Sequence, residues 1–126
     1  YLSSRPPINN IQDLNHHQLL GFTQIDKLNE WPFNDEKGDL LRITPALSAS
    51  SGETLRQLAL AGEGIVCLSD FMTHKDRKSG QLVEILPEQT VKVLQPINAV
   101  YYRNTKLSAR ITCFLDFLSS RIKDML

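Results

Sequence analysis

The sequence predicts an α/β fold built on a parallel sheet, and three observations carry that reading. Residues 47–71, LSASSGETLRQLALAGEGIVCLSDF, read as a strand, a capped helix, a glycine turn and a second strand in immediate succession, which is a βαβ unit. The run Ile65-Val66-Cys67-Leu68 has no polar alternation, as a strand of a parallel sheet covered on both faces requires. Near the end of the chain, Ile111, Phe114, Leu115, Leu118, Ile122 and Met125 recur at helical spacing, so a long helix must bury one face against something else.

Taken in order, residues 1–5 end a helix that Pro6-Pro7 breaks, and residues 11–17 form a short helix leading into the apolar strand 19–22. A polar loop over 23–30 follows. Residues 31–33 and 40–44 are the arms of a hairpin around Asn34-Asp35-Glu36-Lys37-Gly38, a turn-forming composition. Ser50 and Glu53 stand at the spacing of a capping box, which starts the next helix at Ser50 or Ser51. Leu55, Leu58 and Ala59 form its apolar stripe, and Gly62 sits where a left-handed residue stops it. Residues 71–79 read as a short polar helix closed by Gly80, residues 82–86 as a strand stopped by Pro87, and residues 89–95 as an extended stretch. Residues 97–102 read as a buried strand, and Ser108 caps the final helix.

Composition excludes several classes of function. Lys+Arg 14 balances Asp+Glu 14, a poor electrostatic footprint for neutralising phosphates, so these residues are not expected to bind DNA themselves. No apolar run approaches the ~20 residues of a membrane span, and no signal-peptide pattern is visible. Cys67 and Cys113 have neither C-x-x-C nor metal-ligand spacing, which reads as two free thiols in a reducing cytosol. His16 and His17 are adjacent and would point to different faces of a helix, while His74 lies far off, so no metal site is expected. Gly62-Glu63-Gly64 ends a helix and opens a strand, the reverse of a dinucleotide fingerprint, and no serine sits in G-x-S-x-G. An enzyme is therefore not expected, and neither is a cofactor.

The segment Ala59-Leu60-Ala61-Gly62-Glu63-Gly64-Ile65 resembles the helix-to-strand turn of the effector-binding domain of LysR-type transcriptional regulators. The resemblance extends over nearly the whole chain in ordered matches. These are Tyr1-Leu2 with Asp13-Leu14, His17 and Leu20; Trp31 with Phe33; Gly80, Leu82-Val83 and Leu86-Pro87; and Leu107-Ser108 with Arg110 and residues 114–118. Ser69 departs from the family's usual proline after the second strand, and Glu63 from its usual apolar residue between the glycines. The resemblance implies a periplasmic-binding-protein-like (type 2) α/β domain of two lobes. Residues 1–100 would be the second lobe, and 101–126 the crossover and C-terminal helix of the first. It further implies a fragment lacking the winged helix-turn-helix and most of the first lobe. A homodimer or homotetramer, a cytoplasmic location and DNA contact only through the missing N-terminal part complete the expectation. A solute-binding protein of periplasmic type shares the fold and is the alternative.

Ligands of open α/β sheets bind at the carboxyl ends of the strands, where helix N-termini present unpaired N–H groups and positive dipole ends. Ser48, Ala49, Ser50, Ser51 and Gly52 hold that position, Leu68 and Ser69 end the next strand, and Thr23 ends an earlier one. These eight are the candidate effector-binding residues. The resemblance also places effector contacts at the end of this strand. Two hydroxyls beside free amides suit a small anion or a polyhydroxyl compound. Against that stands a purely structural role for Ser50 as the helix cap, with the Glu53 carboxylate near the same amides repelling an anion; Ser69 has a similar alternative as a cap.

Overall fold

A computed structural model describes residues 1–100 and 108–123. The chain divides into two compact units, Tyr1–Val93 and Leu94–Leu126. The first unit holds five strands and two α-helices: β1 Leu19–Phe22, β2 Glu30–Asn34, β3 Leu40–Arg42, β4 Leu47–Ala49, α1 Gly52–Leu60, β5 Ile65–Val66 and α2 Asp70–Ser79. The second holds α3, Ala109–Lys123. No helix among the described residues is long and apolar enough to cross a membrane.

The strands form a parallel sheet in the order β4-β1-β5 and a separate antiparallel hairpin of β2 and β3. β1 is central, with Leu20 opposite Leu47 on one side and Val66 on the other. The segment β4-α1-β5 thus crosses over β1, as the βαβ reading of residues 47–71 requires. Leu14, Leu19, Trp31, Phe33, Ile43, Ile65 and Leu86 make one buried cluster, which ties the sheet to the hairpin. Leu55 of α1 is 0% exposed and anchors the helix to the sheet.

Helix ends follow their glycines. After α1 the Gly62 N–H donates to the Ala59 carbonyl and the Glu63 N–H to the Leu58 carbonyl, both at 3.0 Å, with Gly62 at φ 79°. This is a Schellman closure, which needs a residue comfortable in the left-handed region. Gly80 closes α2 in the same region. In the second unit, Ser108 Oγ accepts from the Ile111 N–H at 3.4 Å and caps α3 as expected.

Four expectations are corrected. The loop over 23–30 contains a 3-10 turn, Asp26–Asn29, because Asn29 is drawn inside: its side chain accepts from the Phe22 N–H at 2.8 Å and donates to the Phe22 carbonyl at 2.9 Å. The strand foreseen over 65–68 is only Ile65–Val66, because the Asn29 side chain occupies the Phe22 N–H and carbonyl where the ladder with β1 would continue. Residues 82–86 form no strand: nothing pairs with them, and Leu86 adopts a left-handed φ of 49° that turns its side chain into the core before the 3-10 turn Pro87–Gln89. Residues 97–100 are irregular and exposed rather than a buried strand, while Tyr101 and Tyr102 lie outside the described residues. The stripe of α3 is partly exposed, as expected where most of the first lobe is missing: Ile111, Phe114 and Ile122 are exposed and Leu115 and Leu118 half-buried, while Met125 lies outside the described residues.

Candidate functional site

All three strands of the parallel sheet end at one edge, and the chain leaves that edge at Thr23, Ser50 and Cys67. The Thr23 N–H donates to the Ala49 carbonyl at 3.2 Å, which holds the exits of β1 and β4 side by side. Leu68 and Met72 close the space beside Gly52: a Cβ on Gly52 would lie 3.1 Å from Met72 Cε and 3.5 Å from Leu68 Cδ2. The N-terminal turns of α1 and α2 therefore converge, with Ser51 and Ser69 as their N-cap residues. Thr23, Ser48, Ala49, Ser50, Ser51, Gly52, Leu68 and Ser69 all follow or end strands of the parallel sheet or open the helices after them.

The capping box is overturned. The N-cap of α1 is Ser51, and no side chain caps it. Glu53 instead accepts from Arg56 at 2.8 Å and Gln57 at 2.9 Å, one turn along its own helix. A residue at i+3 or i+4 competes well for a carboxylate when it is a cation or an amide donor, and both are present here. The Glu53 charge is thereby turned away from the first-turn amides. The Leu55 N–H is the first to find a helical acceptor, the Ser51 carbonyl at 3.1 Å. Gly52, Glu53 and Thr54 thus offer their N–H groups, as the first turn of any α-helix does. Nor does a Ser69 side-chain cap close α2.

Arg56 links the two helices, its Nε and Nη2 gripping both Asp76 oxygens at 2.6 and 2.8 Å. This clamp ties α1 to α2. Sequence reading missed it, because the two residues are twenty positions apart on different helices and nothing local couples them. It missed Asn29 too, for a similar reason: only the fold shows that its amide substitutes for a strand neighbour at the end of β1.

Three carboxylates titrate below the ordinary range for physical reasons visible in the structure. Backbone N–H donation from Asn9 and Asn10 holds Asp13 down; hydrogen bonds from Gln57 and Arg56 do the same for Glu53, and Arg56 for Asp76. Each is lower in the folded chain than in the unfolded one. The unfolded chain therefore takes up protons first as pH falls below about 4, and stability is lost through that region and below. Melting curves between pH 7 and pH 3 are expected to show a plateau above pH 5 and a steep fall beneath pH 4. A melting temperature unchanged down to pH 3 would remove these bonds from the stability of the fold.

Both cysteines are free thiols. Burial pushes Cys67 up to about 11, which leaves it almost wholly protonated near neutral pH and a poor nucleophile. No group of three or more His, Cys, Asp or Glu side chains suited to a metal ion is found among the described residues. A cavity of ≈ 530 Å³ runs along the outer side of β5, with Trp31, Cys67 and Val83 in its walls. It reaches Leu68 but not the serines at Ser48, Ser50 and Ser51, so it is a different concavity from the candidate effector edge.

Residues 1–123 match the family model described as the LysR substrate binding domain. The chain is 45% identical over 118 residues to the HTH-type transcriptional regulator CrgA of Neisseria meningitidis serogroup B, covering 94% of this chain and 40% of CrgA. It is 31% identical over 111 residues to the HTH-type transcriptional activator TtdR of Escherichia coli K12, covering 85% of this chain and 36% of TtdR. Among solved structures it superposes on the regulatory domain of N. meningitidis CrgA with a TM-score of 0.90 at 44% identity, covering 96% of this chain and 59% of that domain. The regulatory domain of AphB from Vibrio vulnificus, at 22% identity and a TM-score of 0.64, shares the fold. The chain thus spans about two fifths of the length of the curated relatives it matches.

Proposed function

The chain belongs to the LysR substrate-binding-domain family of transcription regulators and has its periplasmic-binding-protein-like type 2 fold, and from that premise we propose that it senses a small polar metabolite at the carboxyl edge of its parallel sheet. The observation that carries this reading is that Ser50 and Glu53 form no capping box, Glu53 being held by Arg56 and Gln57 instead. The first-turn amides of α1 lie at that edge beside the exposed Ser50 and Ser51, and the Glu53 carboxylate is bonded along its own helix. An anion or a polyhydroxyl compound fits such a surface, since helix-end amides and the dipole favour negative charge and hydroxyls supply directional bonds. Thr23, Ser48, Ala49, Gly52, Leu68 and Ser69 complete the proposed contact set.

In this reading residues 1–100 act as the second lobe and 101–126 as the crossover and helix of the first. Effector held between lobes shifts their relative angle by population shift, and a homodimer or homotetramer transmits the change to DNA-binding segments outside residues 1–126. The exposed polar face of α1 contributes to the contact between copies. A cytoplasmic location follows from the same reading, and no resident cofactor and no chemical turnover are part of it. The periplasmic solute-binding alternative shares the fold, but the relatives that match are named as transcriptional regulators.

The test is a thermal-shift screen of small carboxylates and sugars against the regulator, followed by calorimetry of any hit on wild type and Ser51→Ala. Ligand at 100 times its dissociation constant stabilises by about 2.7 kcal/mol, a readily measured shift. Ser51→Ala is expected to weaken binding about tenfold, equal to about 1.4 kcal/mol, with the melting temperature of the unliganded protein nearly unchanged because the hydroxyl caps nothing. Equal affinities of the two proteins would move the site elsewhere.

A further inference from the structure

One buried side chain governs how the carboxyl edge of the parallel sheet is built. The backbone of β1 faces its two neighbours alternately, as a parallel ladder requires. The Leu19 carbonyl accepts from the Ala46 N–H at 2.8 Å and the Thr23 N–H donates to the Ala49 carbonyl at 3.2 Å, both toward β4. The Gln18 carbonyl accepts from the Ile65 N–H at 2.9 Å, toward β5. Phe22, an even number of residues beyond Gln18, therefore presents its N–H and carbonyl to the β5 side. In the register that sets Leu20 opposite Val66, it would stand opposite Leu68 and donate to the Cys67 carbonyl.

Asn29 takes that place. Its side-chain amide accepts from the Phe22 N–H at 2.8 Å and donates to the Phe22 carbonyl at 2.9 Å, and the residue is only 6% exposed. A carboxamide carries acceptor and donor side by side, as the backbone of a neighbouring strand does. Two features seat it. The Asn29 carbonyl accepts from the Ile43 N–H at 2.9 Å, which ties the residue to the chain leaving β3. Gly21 leaves the room: a Cβ there would lie 2.6 Å from Asn29 Oδ1 and 2.8 Å from Pro45 Cβ. β5 ends at Val66, and the chain beyond it brings Leu68 beside Gly52 of α1.

We propose that Asn29 is a positioning residue for effector binding: its amide stands in for a strand, holds the carboxyl ends of β1 and β5 apart, and keeps residues 67–69 from zipping onto β1 and closing the edge that receives the ligand. A buried peptide group must be paired. Without the Asn29 amide the replacement in register is the Cys67 carbonyl, and taking it lengthens the ladder and draws Leu68 toward Phe22. The benefit to binding rests on the effector site proposed above, whereas the separation of the strands rests on bonds that exist without ligand.

The test uses the full-length regulator carrying Asn29→Ala. Its crystal structure is expected to show the Phe22 N–H donating to the Cys67 carbonyl, and amide exchange at Phe22 is expected to stay within about tenfold of wild type, because one partner replaces another. Exchange faster by about 100-fold or more, with β5 still ending at Val66, would overturn the proposal, since the strands would then stay apart without Asn29. Asn29→Asp serves where the alanine variant does not fold. Protonated at about pH 5, as burial favours, its carboxyl accepts and donates as the carboxamide does; ionised at about pH 8, it loses the donor. Residues 67–69 are expected to overlay wild type in the acid form and to move toward Phe22 in the ionised form, and an unmoved chain in both would also overturn the proposal. The binding probe is D-glycerate, the smallest compound with a carboxylate and two hydroxyls. A lengthened ladder in Asn29→Ala is expected to weaken glycerate binding at least about tenfold, and unchanged affinity would remove the positioning role. A wild-type regulator that binds no carboxylate or sugar of the screen, with the ladder lengthened in the variant, would instead remove the effector site and leave the separation of the strands to Asn29.

Discussion

Gly64→Ala is expected to cost the domain about 3 kcal/mol, from the sum of overpacking and backbone strain of about 1–3 kcal/mol each. Gly64 has φ 159°, and a Cβ there would overlap the Gln18 carbonyl oxygen while standing 3.2 Å from Leu20 Cδ2. The obstacle is backbone, and that same Gln18 carbonyl accepts the Ile65 N–H that opens the β1–β5 pairing. Relief of the overlap must therefore lengthen the first rung of the parallel ladder. Gly80→Ala is the control: its φ is 78°, but nothing lies within 4 Å of the added Cβ, so only the left-handed penalty of about 1–2 kcal/mol applies. Urea unfolding is expected to show a clearly lower midpoint for Gly64→Ala than for Gly80→Ala, with the slope unchanged. Equal midpoints would mean that β1 and β5 do not approach as closely as the ladder requires.

Trp31→Ala is expected to be at least as damaging, about 3–5 kcal/mol, the range for deleting a large buried aromatic. Trp31 is 2% exposed and joins Phe33, Leu14 and Ile65 in the cluster that binds the hairpin to the parallel sheet. Its loss removes the common wall of two sheets, and the ring is too large for neighbours to close over the space. At roughly 3–5 °C per kcal/mol for a chain of this size, melting by far-ultraviolet circular dichroism should fall by about 10–20 °C. Trp31→Phe, which keeps most of the volume, is expected to lose less than half as much. A fall of only a few degrees in the alanine variant would show that the hairpin does not depend on this contact.

Both substitutions act on the cavity beside β5. Trp31 stands in its wall and Gly64 sets the strand that borders it. Damage to either is expected to reach the serine edge indirectly, since β5 leads straight into Leu68 and Ser69.

Much of the architecture was legible in local chemistry. The 19–22 strand, the hairpin arms, the β4-α1-β5 succession and the helix stops at Gly62 and Gly80 each follow from short-range rules: apolar runs, turn residues, and glycine where φ is positive. Family membership was legible for the same reason, being carried by ordered local motifs. The grouping of Thr23, Ser48–Gly52 and Leu68-Ser69 at one edge follows from parallel topology alone. The short-range rules failed wherever a choice had a distant competitor. Ser50 and Glu53 have capping-box spacing, yet Arg56 and Gln57 outbid the backbone for the carboxylate. Residues 82–86 have strand composition, but a strand exists only through its neighbour, and none lies beside them among the described residues. Asn29, drawn in to hold the end of β1, and the Arg56–Asp76 clamp between the helices are likewise products of proximity in space. Sequence by itself determined which segments become helices and strands and where most of them stop, because those depend on interactions within a few residues. Tertiary structure alone decided which polar groups pair and which strands become neighbours, because those depend on partners brought together from far along the chain.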